Sequence, residues 1–216
     1  MNRYQNLYQK FLGIAFIVGP LLFVLAALVF TLITMQLGFE LEAQEQLYIE
    51  GIIMSYAVIL FIPIYLELAR LLGQRYPRYG LICAVLGLFG MATAVLAATA
   101  RIWQLTFLRA GVNESVWDLI ETTPEMMPIA LLAPFGPLTT LLLGIGLLRV
   151  PTFPRWSALL LIVGGISFVL AQAAGIAIAF FYPLATIAWF VALAPLGWRI
   201  WAGRVGDMVM EETAVA

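Results

Sequence analysis

Six runs of about twenty or more apolar residues follow one another along the chain, at roughly 11–36, 49–72, 79–101, 126–149, 156–178 and 180–201. Each is long enough to cross a hydrocarbon layer as a helix. Lipid forces that choice, because it offers no partner to an exposed backbone N–H or C=O. Of 216 residues, 63% are hydrophobic and 11% charged, against about 25% charged in soluble domains. A chain this short has too little interior to hide so much apolar surface from water, so the excess faces lipid. The predicted fold is all-α: a polytopic membrane protein with six transmembrane helices, one domain over 1–201, and a cytoplasmic tail over 202–216 expected to be poorly ordered.

Arginine and lysine predict the orientation. Six helices place both termini on one side with the 2–3 and 4–5 connections. That side carries Arg3, Lys10, Arg70, Arg75, Arg78, Arg149, Arg155, Arg199 and Arg204. The other carries Arg101 and Arg109 among Glu40, Glu42, Glu45, Glu50, Glu114, Asp118, Glu121 and Glu125. Both termini are therefore expected in the cytoplasm. Arg3 and Lys10 resemble the charged start of a signal peptide, but the apolar run after them is too long for one, which predicts a retained helix.

Two entry points into the membrane share a motif: YPRYG at 76–80 and FPRW at 153–156. Tyr76, Tyr79, Phe153 and Trp156 suit the headgroup layer. Arg78 and Arg155 can reach lipid phosphates, each contributing about 1 kcal/mol near an anionic surface. Pro77 and Pro154 fit a first helical turn, where the missing N–H costs nothing. Upstream of each lies Phe-x-Pro, FIP at 61–63 and FGP at 135–137, and Gly87 aligns with Gly164. Helices 2–3 and 4–5 thus read as related hairpins. In the outer connection, ESVWDLIE after Asn113 spaces Val116, Trp117, Leu119 and Ile120 along one face, as in a short interfacial helix.

The composition excludes much chemistry. There is no histidine, the only lysine is Lys10, and Cys83 is the only cysteine. Imidazole ligation, a buried Schiff-base lysine and an internal disulfide are impossible. No GxSxG, Walker loop or HExxH is present, so no catalytic constellation, metal site or cofactor is expected. With no basic patch, nucleic acid is not an expected partner.

Candidate site residues lie mainly in helices 2 and 4. Glu67 is an ionisable group at membrane depth, with Arg70 three residues on at same-face spacing. In APFGPLTT, 133–140, Pro134 and Pro137 remove two backbone donors, Gly136 adds freedom, and Thr139 and Thr140 supply hydroxyls. Pro63 in helix 2, beside Tyr65, is the counterpart, and interrupted helices in paired positions mark binding sites in transporters. Arg101, Gln104 and Arg109 form a candidate outer anion site, with pairing to Glu50 or Glu125 the alternative. Gln172 is expected to hydrogen-bond across the bundle. Small residues such as Gly87, Gly90, Gly144, Gly146, Gly164 and Gly165 predict close helix packing.

The segments FPRWSALLLIVGGISFVLAQ and PLATIAWFVALAPLGWRIW resemble small bacterial multi-pass membrane proteins grouped as a domain of unknown function. Pro154, Trp156, Ser157, Leu196 and Gly197 carry the likeness, which covers mainly residues 150–200. It implies a six-helix fold in a bacterial plasma membrane and no assigned activity. Two functions follow as expectations. One is an accessory bundle that binds a membrane partner, a second copy or lipid. The other is a small-solute transporter with its site at helices 2 and 4.

Overall fold

The computed structural model describes residues 3–34, 43–112, 116, 119, 123–172 and 177–203. Its regular elements are helical: α1 (Arg3–Thr34), α2 (Ala43–Arg75), α3 (Pro77–Arg109), a 3-10 turn (Pro124–Met126), α4 (Met127–Ala130), α5 (Phe135–Leu147), α6 (Arg155–Gln172) and α7 (Ile178–Trp201). Six spans are long and apolar enough to cross a membrane, with α4 and α5 sharing the fourth, Met127–Leu147. The third helix runs past the expected end at 101 because no residue breaks it before Gly111, whose φ is +75°. The interfacial helix expected after Asn113 lies mostly outside the described residues; Val116 and Leu119 are described, and both are exposed. The tail beyond Gly203 also lies outside them.

The helices form a ring. Each packs against its chain neighbours, α7 returns against α1, and α2 touches α5 across the middle. Glycines set the register by letting backbones meet. A Cβ on Gly13 would stand 2.8 Å from the Gly197 carbonyl, and one on Gly51 2.9 Å from that of Ala98. Gly144 meets Ala158 and Gly164 meets Ala185 in the same manner. Early residues of one helix face late residues of the next, so neighbours run antiparallel. The core is a column of fully buried side chains that includes Phe16, Phe61, Ile64, Leu68, Leu72, Leu143, Leu161 and Leu193. The exterior is apolar as well, with Leu81, Ile82, Phe89, Leu159, Ile166 and Val191 exposed. Such a surface suits a hydrocarbon surround.

One end of the ring gathers the start of α1, the α2–α3 and α5–α6 turns and the end of α7, and with them Arg3, Lys10, Arg70, Arg75, Arg78, Arg149, Arg155 and Arg199. The opposite end has Arg101 and Arg109. Tyr76, Arg78, Arg155 and Trp156 are exposed at the basic end. The two motifs are not equivalent in detail. Pro77 opens α3, whereas Pro154 precedes α6, its carbonyl accepting from the N–H groups of Ser157 and Ala158 at 3.1 Å. Phe153 corrects the expectation of a headgroup ring: it is 5% exposed and joins the core. The turn from Leu148 to Pro154 is long enough to fold a ring back under the bundle, while the single Tyr76 between α2 and α3 is not. Tyr79 is half-buried, and its hydroxyl donates to the Leu142 carbonyl at 2.7 Å.

Candidate functional site

The fourth span is broken where the sequence reads APFGPLTT. Leu131 N–H still reaches the Met127 carbonyl four residues back, but Leu132, Ala133 and Phe135 donate three residues back, to Ile129, Ala130 and Leu132, at 3.0–3.1 Å. The helix tightens, ends, and restarts as α5. Pro137 then falls in the first turn of α5, where its missing N–H breaks no ladder. No residue of α4 is buried. This half of the span thus contributes no buried side chain to the bundle.

Next to the break lies a cavity of about 160 Å³. Its sides are Phe23, Phe61, Phe168 and Trp189, in a linked aromatic set: Phe23 meets Phe61 edge-on at 4.8 Å, and Phe168 stacks on Trp189 at 5.2 Å. The Trp189 pyrrole edge rests on Gly164, and its buried Nε1 has no hydrogen-bond partner. Below the break, α3 and α5 touch backbone to backbone; a Cβ on Gly90 would stand 2.2 Å from the Gly136 nitrogen. That contact closes the wall beneath the cavity. Tyr65 forms the floor, its buried hydroxyl donating to the Gly136 carbonyl at 3.0 Å and pairing with the Thr140 hydroxyl. Above the break the wall is open, where the exposed residues Ala97, Ala133 and Gln172 line the mouth.

Arg101 completes the mouth and is held by a buried cluster. Glu50 is fully buried, and its Oε2 pairs with Arg101 Nη1. Tyr182, also fully buried, donates its hydroxyl to Glu50 Oε1 at 3.1 Å. Arg101 Nη1 lies 3.9 Å from the Met54 sulfur, and the guanidinium stands 5.8 Å from the Phe30 ring centre. The Arg101 side chain keeps 24% of its surface exposed. The ion pair thus joins α2, α3 and α7 and faces the cavity on one side.

The structure divides the residues expected to act together. Tyr65, Gly136 and Pro137 line the cavity, and Thr140 bonds to Tyr65. Thr139 is buried against Gly87 with its hydroxyl unpartnered. Pro134 is exposed in the break. Pro63 sits half-buried inside an unbroken α2, so only the fourth span is interrupted; one proline removes one bond, and the flanking ladder carries the helix through. Glu67 is elsewhere. Two residues from Tyr65, it points to the opposite side of α2. Arg70 grips it there through Nε at 2.8 Å and Nη2 at 2.5 Å, next to a second cavity of about 300 Å³ lined by Tyr4, Tyr8, Gln9 and Ile200. A single pocket holding Glu67, Tyr65, Thr139 and Thr140 is not formed. Arg101 takes the Glu50 alternative, and neither Gln104 nor Arg109 lines the cavity. Gln172 is exposed at the mouth rather than tied across the bundle.

Tyr182, Phe168 and Trp189 were not legible as site residues, since nothing in their spacing separates them from other packing aromatics. Comparison with known protein families, characterised proteins and solved structures finds no match to this chain.

Proposed function

We propose that this chain is an accessory protein of the plasma membrane, with both termini cytoplasmic, that takes the hydrocarbon chain of a lipid into its interior through the broken fourth span. The observation that carries the reading is an apolar aromatic cavity whose exposed lining residues, Ala97 of α3, Ala133 of the break and Gln172 of α6, lie near the weakly packed α4. With Ala97 and Ala133 on two apolar spans at its rim, the cavity is read as reached from the bilayer. Size points the same way. An apolar cavity of about 150 Å³ holds one benzene-sized group, whereas sites that enclose a whole solute measure about 300–1,000 Å³. A stretch of chain fits in 160 Å³, a drug-sized solute does not, and the apolar aromatic walls suit hydrocarbon better than a polar solute, which places small-solute transport second. The basic end carries eight of the ten described cations, which supports its assignment to the cytoplasm.

Trp189 supplies the test. A protein that retains it alone, with Trp103, Trp117, Trp156, Trp198 and Trp201 replaced by phenylalanine, is reconstituted in vesicles of chain-brominated phosphatidylcholine. Trp189 is 3% exposed and lines the cavity, so blocking the mouth separates bromine inside the cavity from bromine in the surrounding lipid. Strong quenching is expected, and Ala97→Phe at the mouth weakens it. Unquenched Trp189 emission refutes the proposal.

A further inference from the structure

One positive side chain, Arg101, lines the cavity, with the buried carboxylate of Glu50 paired to it, and their sum limits the head that a bound chain can carry. The partners of Arg101 Nη1 are Glu50 and Met54, and no described residue accepts from its Nε or Nη2. These donors sit on a residue that lines the cavity. Glu50 is fully buried and ion-paired with the guanidinium. An anionic head at Arg101 would stand within a few ångströms of that carboxylate. Repulsion from Glu50 would offset attraction to Arg101, while the anion would still lose its hydration. A neutral oxygen acceptor gives up little solvation and gains a hydrogen bond from a charged donor.

We infer that the occupant of this site is a neutral amphiphile, one hydrocarbon chain bearing an ester carbonyl or a hydroxyl that accepts from Arg101, and that Glu50 is the residue that excludes anionic heads. The inference rests on the reading of the cavity as a chain-binding site. The same acceptor chemistry is offered by the glycerol ester of a bilayer lipid and by a free long-chain alcohol.

The test uses the full chain with Trp189 as sole tryptophan, in detergent micelles, titrated with four brominated probes of equal length: a headless bromoalkane, a monoacylglycerol, a long-chain alcohol and an alkyl phosphonate. Quenching by the bromoalkane reports the cavity, and its absence refutes chain binding itself. With the cavity confirmed, the monoacylglycerol or the alcohol is expected to bind at least about tenfold more tightly than the phosphonate. Which of the two binds more tightly identifies the source. A phosphonate that binds as well as both neutral probes, or neutral probes no better than the bromoalkane, overturns the inference. Glu50→Gln leaves the mouth net positive, and the phosphonate is expected to gain about tenfold; no gain overturns the role of Glu50. Because that variant strands a buried guanidinium, the double variant Glu50→Gln/Arg101→Gln serves beside it. There the neutral probes lose their advantage over the bromoalkane while bromoalkane binding persists; a retained advantage overturns the role of Arg101.

Discussion

At the α2–α3 turn, Gly73 and Gly80 face each other, and one added methyl is expected to give opposite results at the two positions. A Cβ on Gly80 would lie 2.6 Å from both the Ala69 carbonyl oxygen and the Gly73 Cα, and 2.7 Å from the Gly73 nitrogen. All three obstacles are backbone, so no side chain can swing away. The helices cannot part easily either, because Tyr76 alone joins them and its neighbours are tied: Tyr76 N–H to the Leu72 carbonyl and Gly80 N–H to the Tyr76 carbonyl, both at 2.9 Å. A Cβ on Gly73 has the Gly80 Cα at 3.9 Å as its nearest neighbour, ordinary contact. Overpacking costs about 1–3 kcal/mol, and rigid obstacles put Gly80→Ala near the top of that range. For a chain of this length it corresponds to a fall in Tm of about 5–10 °C. Gly73→Ala escapes the clash and limits the unfolded chain, so its stability stays within about 0.5 kcal/mol of the parent or rises. Reversible unfolding in mixed micelles, followed by tryptophan emission, measures both. Equal stability of the two variants would refute the argument that backbone contact fixes this hairpin.

Two further predictions concern the ion pairs. Glu50→Ala strands Arg101 and is expected to cost about 3–5 kcal/mol, while Tyr182→Phe removes one hydrogen bond to a carboxylate and costs about 1.5–3 kcal/mol; unfolding in micelles checks both, and a loss below 1 kcal/mol for Glu50→Ala would show that the pair does not hold α2 to α3. Glu67 and Arg70, by contrast, sit on one helix with the arginine side chain 54% exposed, so a double-mutant cycle with Glu67→Gln and Arg70→Met is expected to give a coupling below about 1 kcal/mol.

The contrast between those pairs shows what the sequence made legible. Glu67 and Arg70 are three residues apart, and helical spacing alone places them together. Glu50 and Arg101 are joined by the register of α2 on α3, which depends on Gly51 meeting Ala98 and on Gly80 meeting Ala69 and Gly73. No periodicity encodes that register, so Glu50 could be named only as one of two partners for Arg101. The six spans and the clustering of cations were readable, because length and charge placement act locally. Phe153 was misjudged for the opposite reason: a ring beside Pro-Arg-Trp looks like its neighbours, and only the fold of the 148–154 turn decides that it enters the core. The site suffered most. Tyr65 and Gly136 were found through the proline break, but the aromatic walls come from four different helices.

The break and the cavity require each other. Inside hydrocarbon a helix end exposes unpaired donors, a cost that normally keeps irregular backbone away from lipid. Here Leu131, Leu132, Ala133 and Phe135 all have bonded N–H groups, and Pro134 has none to satisfy. The chain therefore crosses a lipid-facing stretch without regular helix and still leaves none of these donors bare. What it gives up is packing: α4 buries no residue, while α5 just beneath it meets α3 at Gly90 with no side chain between them. Ala133 of the break, itself exposed, lines the cavity beside Gly136 and Pro137. The break thus leaves the cavity rim with exposed Ala133, while Gly90 against Gly136 closes the wall just beneath it.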